Sequence, residues 1–287
     1  MHRIIGMPPQ QGLYDPAHEH DACGVGFIAN IKGRQSHDII TRGTEILCRL
    51  THRGAVGADP LDGDGAGLTI QIPDAYYRAV VDFDLPPIGE YATGLIFLPK
   101  DDKRRAACEQ AFDQAMARTG LRTLGWRDVP TDNTDIGRDA KSTEPLVRQV
   151  FVHRHEVKPK HLEMMLYLAR RRAENAVDEG DLSGGEYFYV NTLSARRILY
   201  KGMLLSDQLA TYYPELADER VVSSVALVHQ RYSTNTFPTW DLAQPFRYVC
   251  HNGEINTLRG NINRMRARQA ILAHDKLGDA VGAGDPP

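Results

Sequence analysis

The spacing of apolar side chains along this chain alternates between two periods. Continuous apolar runs bounded by turn-forming residues predict buried strands, whereas apolar residues that recur every three or four positions predict amphipathic helices. The predicted strands are 23–31, 68–72, 91–98, 146–153, 187–193, 197–201, 221–229 and 246–250. The predicted helices are 38–50, 75–81, 101–118, 160–177 and 257–273.

Strands and helices interleave without the regular strand–helix–strand repeat of a doubly wound parallel sheet, so the pattern favours mixed sheets. The neighbouring strands 187–193 and 197–201 are predicted to pair with each other. The stretch 131–142 is rich in Asp, Thr and Gly and is predicted to be a polar loop. Since no low-complexity linker interrupts residues 23–273, we expect one domain.

The composition narrows the classes of function. The chain has 287 residues, a net charge of -3 and an apolar content of 42%, which is enough for a sizeable core. The negative charge argues against nucleic acid or a membrane surface as a partner, because both reward a basic face. No apolar run approaches the roughly 20 residues that cross a bilayer. The four cysteines form no CxxC pair, so we expect a reducing, cytoplasmic location and no metal site.

Cys23 is the candidate nucleophile. Small neighbours, Ala22 and Gly24, leave its thiol sterically open. Residues 1–22 lack the apolar core of a secretory signal and are interpreted as a leader that is removed. Removal would place a free α-amine on Cys23, and an amine that titrates near pH ~8 could act as the base for its own thiol. The alternative interpretation is that Cys23 is a core residue, since free cysteines are often buried.

Four ordered motifs support the catalytic interpretation. They are CGVG at 23–26, HRG at 52–54, HQRYSTN at 229–235 and HNGEIN at 251–256. In this order and spacing they resemble the class II glutamine amidotransferases, which are N-terminal-nucleophile hydrolases. With GDGAG at 63–67 and YSTNTFPTW at 232–240, the wider pattern is similar to the glutaminase domain of the large subunit of glutamate synthases. The resemblance runs from about Tyr14 to about Ala273.

Two of these motifs also have simpler interpretations. The glycine-rich stretch 63–67 precedes a strand and lacks a following Lys-Ser/Thr, which favours close backbone packing over phosphate binding. In the motif at 52–54, Gly54 is predicted to end the preceding helix in a left-handed turn.

The resemblance implies a fold and a reaction. The fold class is α+β, a four-layer αββα sandwich of two mainly antiparallel sheets between helical layers. The domain would span 23–287 after a leader of 1–22, truncated at its C-terminal end. The reaction would be hydrolysis of L-glutamine to L-glutamate and ammonia through a thioester at Cys23. In the full enzyme the ammonia would be channelled to the reductive amination of 2-oxoglutarate.

The resemblance also assigns the stabilisation of developing charge. By similarity, the side chain of Asn252 and the backbone N–H of Gly253 form the oxyanion hole. These residues are chemically suited to the task, because an amide side chain and an unobstructed N–H both donate hydrogen bonds. From the dipeptide alone, a tight Asn-Gly turn between strands is the favoured interpretation.

The substrate-binding residues follow in the same way. Arg231 is the implied partner of the glutamine α-carboxylate, which a planar guanidinium can bind with two hydrogen bonds. Arg53 matches a position in the glutamine pocket, with a structural role at the helix end as the alternative. Thr234 and Trp240 are expected to shape or cover the pocket. An aspartate for the substrate ammonium has no convincing match here and is expected beyond residue 287.

Cofactors and partners complete these expectations. No cofactor is expected in this segment, whose expected ligand is L-glutamine, whereas FMN and an iron–sulfur cluster are expected in the remainder of the enzyme. The implied partners are downstream synthase domains of the same chain and a small NADPH-oxidising subunit, with NADPH or ferredoxin left open as electron donor. One alternative is another class II enzyme that supplies ammonia for sugar, purine or asparagine synthesis. The other is a non-catalytic domain that binds glutamine or a partner.

Overall fold

The computed structural model describes residues 9–15, 24–233, 236–253 and 257–269. In that part of the chain, helices and antiparallel strands alternate in an α+β fold. The helices are α1 His37–Arg49, α2 Asp74–Val80, α3 Asp102–Arg118, α4 Arg138–Ser142, α5 Leu162–Glu179, α6 Leu209–Tyr212 and α7 Leu258–Gln269. The strands are β1 Val25–Ala29, β2 Ala66–Gln71, β3 Tyr91–Leu98, β4 Arg122–Asp128, β5 Leu146–His153, β6 Tyr189–Val190, β7 Arg197–Gly202 and β8 Val225–Gln230. None of these helices is both long and apolar enough to cross a membrane.

The first sheet has the strand order β1-β8-β2-β7, and every neighbouring pair is antiparallel. This order places β1, which follows the predicted nucleophile, beside β8, which leads into the motif at 229–235. α1 packs on this sheet through Ile40 and Leu47, which share a core with Leu68 and Val228. The apolar spacing that predicted α1 therefore corresponds to its buried face.

The second sheet has the order β4-β5-β3-β6 and is also antiparallel. One face carries Phe97 and Phe151 into the core that it shares with the first sheet. The other face packs against α3 and α5, where Phe112 and Leu166 are fully buried. Because β3 and β5 have both faces covered, both are rich in apolar residues, although β5 also contains Arg148 and Gln149. The predicted bounds of both strands are confirmed.

The structure corrects three predictions about these elements and adds one strand that was not predicted. β6 and β7 do not pair with each other, because β6 joins β3 and β7 joins β2. The stretch 246–250 is no strand: Phe246 N donates to Val249 O across a turn. The predicted polar loop 131–142 ends in α4, in whose first turn the backbone N–H groups of Asp139 and Ala140 donate to the distant Asp62. β4 was not predicted, because as an edge strand it has no continuous buried face.

Candidate active site

The pairing of β1 with β8 builds one end of the first sheet. Gly24 is buried, its carbonyl accepts from Gln230 N at 2.7 Å, and Arg231 N donates to Gly65 O at 2.8 Å. Three chain segments that are distant in sequence therefore meet at the ends of β1, β2 and β8. Cys23 directly precedes Gly24 and lies outside the described residues.

Asn252 lies beside this sheet end. A Cβ built on Gly24 would stand 3.6 Å from Asn252 Oδ1 and would overlap the carbonyl oxygen of Gln230. Only glycine therefore fits at position 24, between β8 and the Asn252 side chain. The structure thus brings the residue next to the predicted nucleophile together with the predicted oxyanion donor.

Gly253, the second predicted oxyanion donor, is already engaged. Its backbone N–H donates to His251 Nδ1 at 3.1 Å, and Asn252 and Gly253 are both exposed. An oxyanion can accept from this N–H only if the contact with His251 opens. The sequence motif gave no sign of this competing acceptor.

Arg231 places a buried cation at the same sheet end. The residue is 9% exposed, and its guanidinium donates to Asp64 O, Ser233 Oγ and Thr236 Oγ1 at 2.9–3.2 Å. Within the described residues it has no ion pair with a carboxylate. Burial lowers the pKa of Arg231 from its ordinary value. A guanidinium held only by neutral oxygens is well placed to bind the carboxylate of a ligand.

Asp64 is a neighbour that the sequence analysis did not single out. It is buried, and its Oδ2 accepts from Ser233 N at 2.6 Å, so the carboxylate holds the segment that follows Arg231. The available signal was its position between two glycines immediately before β2.

Arg53 reaches the same region from the 3-10 turn Thr51–Arg53, which follows α1. Its Nε is buried and has no hydrogen-bond partner among the described residues. Gly54 is extended, with φ -92° and ψ 151°, so the predicted left-handed turn is wrong. Glycine is needed at position 54 for a different reason, because a Cβ there would overlap the side chain of Gln230. The two predicted substrate arginines thus flank a pair of touching residues, Gly54 and Gln230.

Trp240 has a different environment from the one predicted. Its side chain is 0% exposed, its indole N–H donates to Ala140 O at 3.1 Å, and its ring meets Phe97 and Tyr212. The described contacts of Trp240 are therefore those of a core residue, which the sequence motif did not indicate. Thr234, predicted to shape the pocket, lies outside the described residues.

Two further polar residues face the loop that carries Asn252. His229 is 2% exposed, and its Nε2 donates to His251 O at 2.7 Å. Burial is the main reason that the pKa of His229 falls to about 4, with His251 and Arg231 adding repulsion. Lys201 is fully buried on β7. In the sequence its signal was a lysine inside an apolar strand pattern, and His229 had no assigned role within its motif. Among the described residues, no group of three His, Cys, Asp or Glu side chains could hold a metal ion.

Known proteins match this chain over nearly all its length. The family described as "Glutamine amidotransferases class-II" matches residues 23–286. The chain is 46% identical over 276 residues to "Glutamate synthase [NADPH] large chain" of Bacillus subtilis, covering 95% of this chain and 18% of that protein. It is 42% identical over 280 residues to "Glutamate synthase [NADH]" of Saccharomyces cerevisiae, covering 93% and 13%.

A plant relative gives the same picture. Identity to "Ferredoxin-dependent glutamate synthase 1, chloroplastic/mitochondrial" of Arabidopsis thaliana is 41% over 269 residues, covering 92% of this chain and 16% of that protein. The chain thus spans less than a fifth of the length of these curated relatives. With the family match over residues 23–286 and these identities, the chain belongs to the class II glutamine amidotransferases and corresponds to a segment of glutamate synthases.

Proposed function

We propose that this domain hydrolyses L-glutamine to L-glutamate and ammonia through a thioester at Cys23. The observation that carries the proposal is the position of Asn252 beside Gly24, at the sheet end where Arg231 is buried without a carboxylate partner among the described residues. Membership of the class II glutamine amidotransferases supports it. The mature chain would begin at Cys23, after removal of residues 1–22.

The proposed reaction balances with groups of this chain and one water molecule. The α-amine of Cys23 takes the thiol proton, and Sγ attacks the side-chain amide carbon of glutamine. Asn252 and Gly253 donate to the oxygen on which negative charge develops. The ammonium then returns the proton to the departing nitrogen, and ammonia leaves as the thioester forms. Water attacks the thioester, which yields glutamate and restores the thiol.

Substrate binding uses the buried cation at the same end of the sheet. Arg231 binds the α-carboxylate of glutamine, exchanging contacts with neutral oxygens for a charge-assisted pair. Arg53 and Thr234 complete the pocket in this proposal. The buried Nε of Arg53, which has no partner among the described residues, is a donor available to a ligand.

The domain would be the glutaminase part of a cytoplasmic glutamate synthase. Ammonia would pass to downstream domains of the same chain for the reductive amination of 2-oxoglutarate. FMN and the iron–sulfur cluster would bind in that remainder, and a small NADPH-oxidising subunit would be a partner there. The names of the relatives support this choice over class II enzymes of sugar, purine or asparagine synthesis. The domain would span residues 23–287 and share the four-layer αββα arrangement.

The test is the replacement Cys23→Ala in the full-length protein. We expect loss of glutamine-dependent glutamate formation, while ammonia-dependent formation persists, because only the thiol step is removed. Cys48→Ala is the matched control: the Cys48 thiol is half-buried, donates to Ser206 O and should be dispensable for both activities. Equal loss of both activities in folded Cys23→Ala protein, or retained glutamine hydrolysis, contradicts the proposal.

A further inference from the structure

Three residues form one row across the first sheet. Gly67 on β2 is paired with Lys201 on β7 and with His229 on β8. Directly paired residues project to the same face of a sheet, so Lys201 and His229 flank the bare backbone of Gly67. The segment 241–251 covers this face and leads directly to Asn252.

Gly67 allows this segment to lie directly on the sheet. A Cβ at position 67 would overlap the carbonyl oxygen of Gln244 and would stand 2.9 Å from Pro245 Cδ. Any side chain here would lift the segment away from β2. The glycine therefore sets the distance between the segment and the sheet.

Lys201 holds the beginning of the segment. Its Nζ donates to Asp241 O at 2.6 Å and to Ala243 O at 2.8 Å. The Nζ atom also lies 4.5 Å from the ring centre of Tyr189 and 5.1 Å from that of Phe246. Within the described residues it forms no ion pair, so its two hydrogen bonds both go to the backbone of the segment.

His229 holds the end of the segment from the other side of Gly67. Its Nε2 donates to His251 O at 2.7 Å, while His251 N donates to Gln244 Oε1 at 3.2 Å. Both backbone polar groups of His251 are therefore fixed, one by the sheet and one within the segment. Because His251 immediately precedes Asn252, fixing its backbone also restricts the positions of the proposed oxyanion donors.

We propose that Lys201 and His229 are positioning residues that fix the segment 241–251 on the first sheet and so hold Asn252 and Gly253 beside Gly24. The inference rests on the proposed function, because it gives these residues a role through the oxyanion hole. Neither side chain touches the substrate. Their effect is on the geometry of the donors, and a displacement of about 1 Å in an active site can cost on the order of 10²-fold in rate.

The test uses variants of the full-length protein. Lys201→Met keeps the length of the side chain but removes the two hydrogen bonds. His229→Leu removes the donor to His251, whereas His229→Gln retains an N–H that can reach the same carbonyl. Lys100→Met, at an exposed lysine that pairs with Glu144, is the control for the loss of a lysine.

For glutamine hydrolysis we expect kcat to fall roughly 10- to 100-fold in Lys201→Met and His229→Leu, with KM nearly unchanged. His229→Gln should recover most of the lost kcat, and Lys100→Met should match the wild type. The rate at which iodoacetamide alkylates Cys23 should not change, since the nucleophile itself is untouched.

A double-mutant cycle separates this role from general structural damage. If Lys201 acts through Asn252 and Gly253, Lys201→Met should cost less in an Asn252→Ala background than in the wild type. Equal costs in the two backgrounds, or wild-type kcat in both folded Lys201→Met and His229→Leu, would overturn the inference. If Lys201→Met does not fold, the comparison of His229→Leu with His229→Gln tests the inference. Equal kcat for these two variants contradicts a positioning role for His229. An Asn252→Ala variant with wild-type kcat would instead contradict the proposed function itself.

Discussion

Two buried arginines in this domain have opposite surroundings. Arg127, between the two sheets, pairs with Glu215 at 2.7 Å, donates to Gln149 and lies over the rings of Tyr76 and Tyr77. Arg231, at the end of the first sheet, contacts only neutral oxygens among the described residues. The pKa of Arg127 is raised although burial opposes this, since Glu215 favours its charge, whereas burial lowers the pKa of Arg231.

The charge of Arg127 is neutralised by a partner within the fold, whereas the charge of Arg231 is available to pair with a ligand. Glu215 accepts hydrogen bonds from Tyr76, Tyr200 and Arg127, so the carboxylate that pairs with Arg127 is itself fully bonded. At the sheet end, the Nε of Arg53 and the Nδ1 of His229 are buried and have no partner among the described residues. Substitutions in the first region should therefore affect stability, and those in the second should affect turnover.

The largest expected effect on stability is at Arg127. Arg127→Met would leave Glu215 buried with an unpaired charge, and breaking a buried ion pair in this way typically costs about 3–5 kcal/mol of unfolding free energy. Urea denaturation should show this loss, while glutamine turnover by the remaining folded protein stays near the wild-type value. A loss of turnover without a loss of stability would reverse the assignment of the two regions.

Asn252→Ala should give the largest loss of turnover short of removing the nucleophile. Loss of one oxyanion donor typically costs about 10²–10³ in kcat, or roughly 3–4 kcal/mol. Because Asn252 is exposed, the urea midpoint should hardly change. If the variant unfolds instead, the Asn-Gly pair serves as a structural turn and its catalytic role is unsupported.

His229 should make the sheet end sensitive to acid. Its pKa of about 4 in the folded state lies below the ordinary 6.5, so protonation favours the unfolded chain. Stability is lost as the pH falls from about 6.5 towards 4, by up to roughly 3 kcal/mol below pH 4. His229→Gln cannot titrate, and its unfolding free energy should fall less than that of the wild type over this range. If the unfolding free energies of the two proteins change with pH in parallel, His229 does not titrate in this way.

Arg231→Met should lower kcat/KM for glutamine, and the loss should be smaller than the loss of kcat in Asn252→Ala. A hydrogen bond to a charged group contributes on the order of 1.5–3 kcal/mol, which corresponds to a roughly 10- to 100-fold loss in kcat/KM. The unfolding free energy should not fall by the amount predicted for Arg127→Met, since no carboxylate among the described residues loses its partner. Steady-state kinetics together with urea denaturation compares the two arginines directly.

Much of the fold was predictable because buried helix and strand faces require apolar residues at regular spacing in the sequence. β3 and β5 are covered on both faces, and α1, α3 and α5 bury one face each, so apolar spacing located all of them. Long-range contacts require no such spacing. The first turn of α4 forms where the distant Asp62 accepts hydrogen bonds from the N–H groups of Asp139 and Ala140. β6 and β7 do not pair with each other because each has its partner in a different sheet.

The candidate site was predictable to a similar degree. Motif resemblance indicated Arg53, Arg231 and Asn252, and the structure places all three at or near one end of the first sheet. It gave no role to Lys201 or His229, because their importance depends on a cross-strand row and on a segment that folds back over it. The burial of Trp240 was not predicted, because an aromatic residue in a loop motif cannot be told from a core residue by sequence alone.

In the proposed reaction Cys23 forms the covalent intermediate beside Asn252. The most direct test is to quench the full-length enzyme with acid during glutamine turnover and to map modified peptides by mass spectrometry. We expect a γ-glutamyl group on Cys23 and none on Cys48, Cys108 or Cys250. Continued turnover with an unmodified Cys23, or a γ-glutamyl group on one of the other cysteines, would contradict the account.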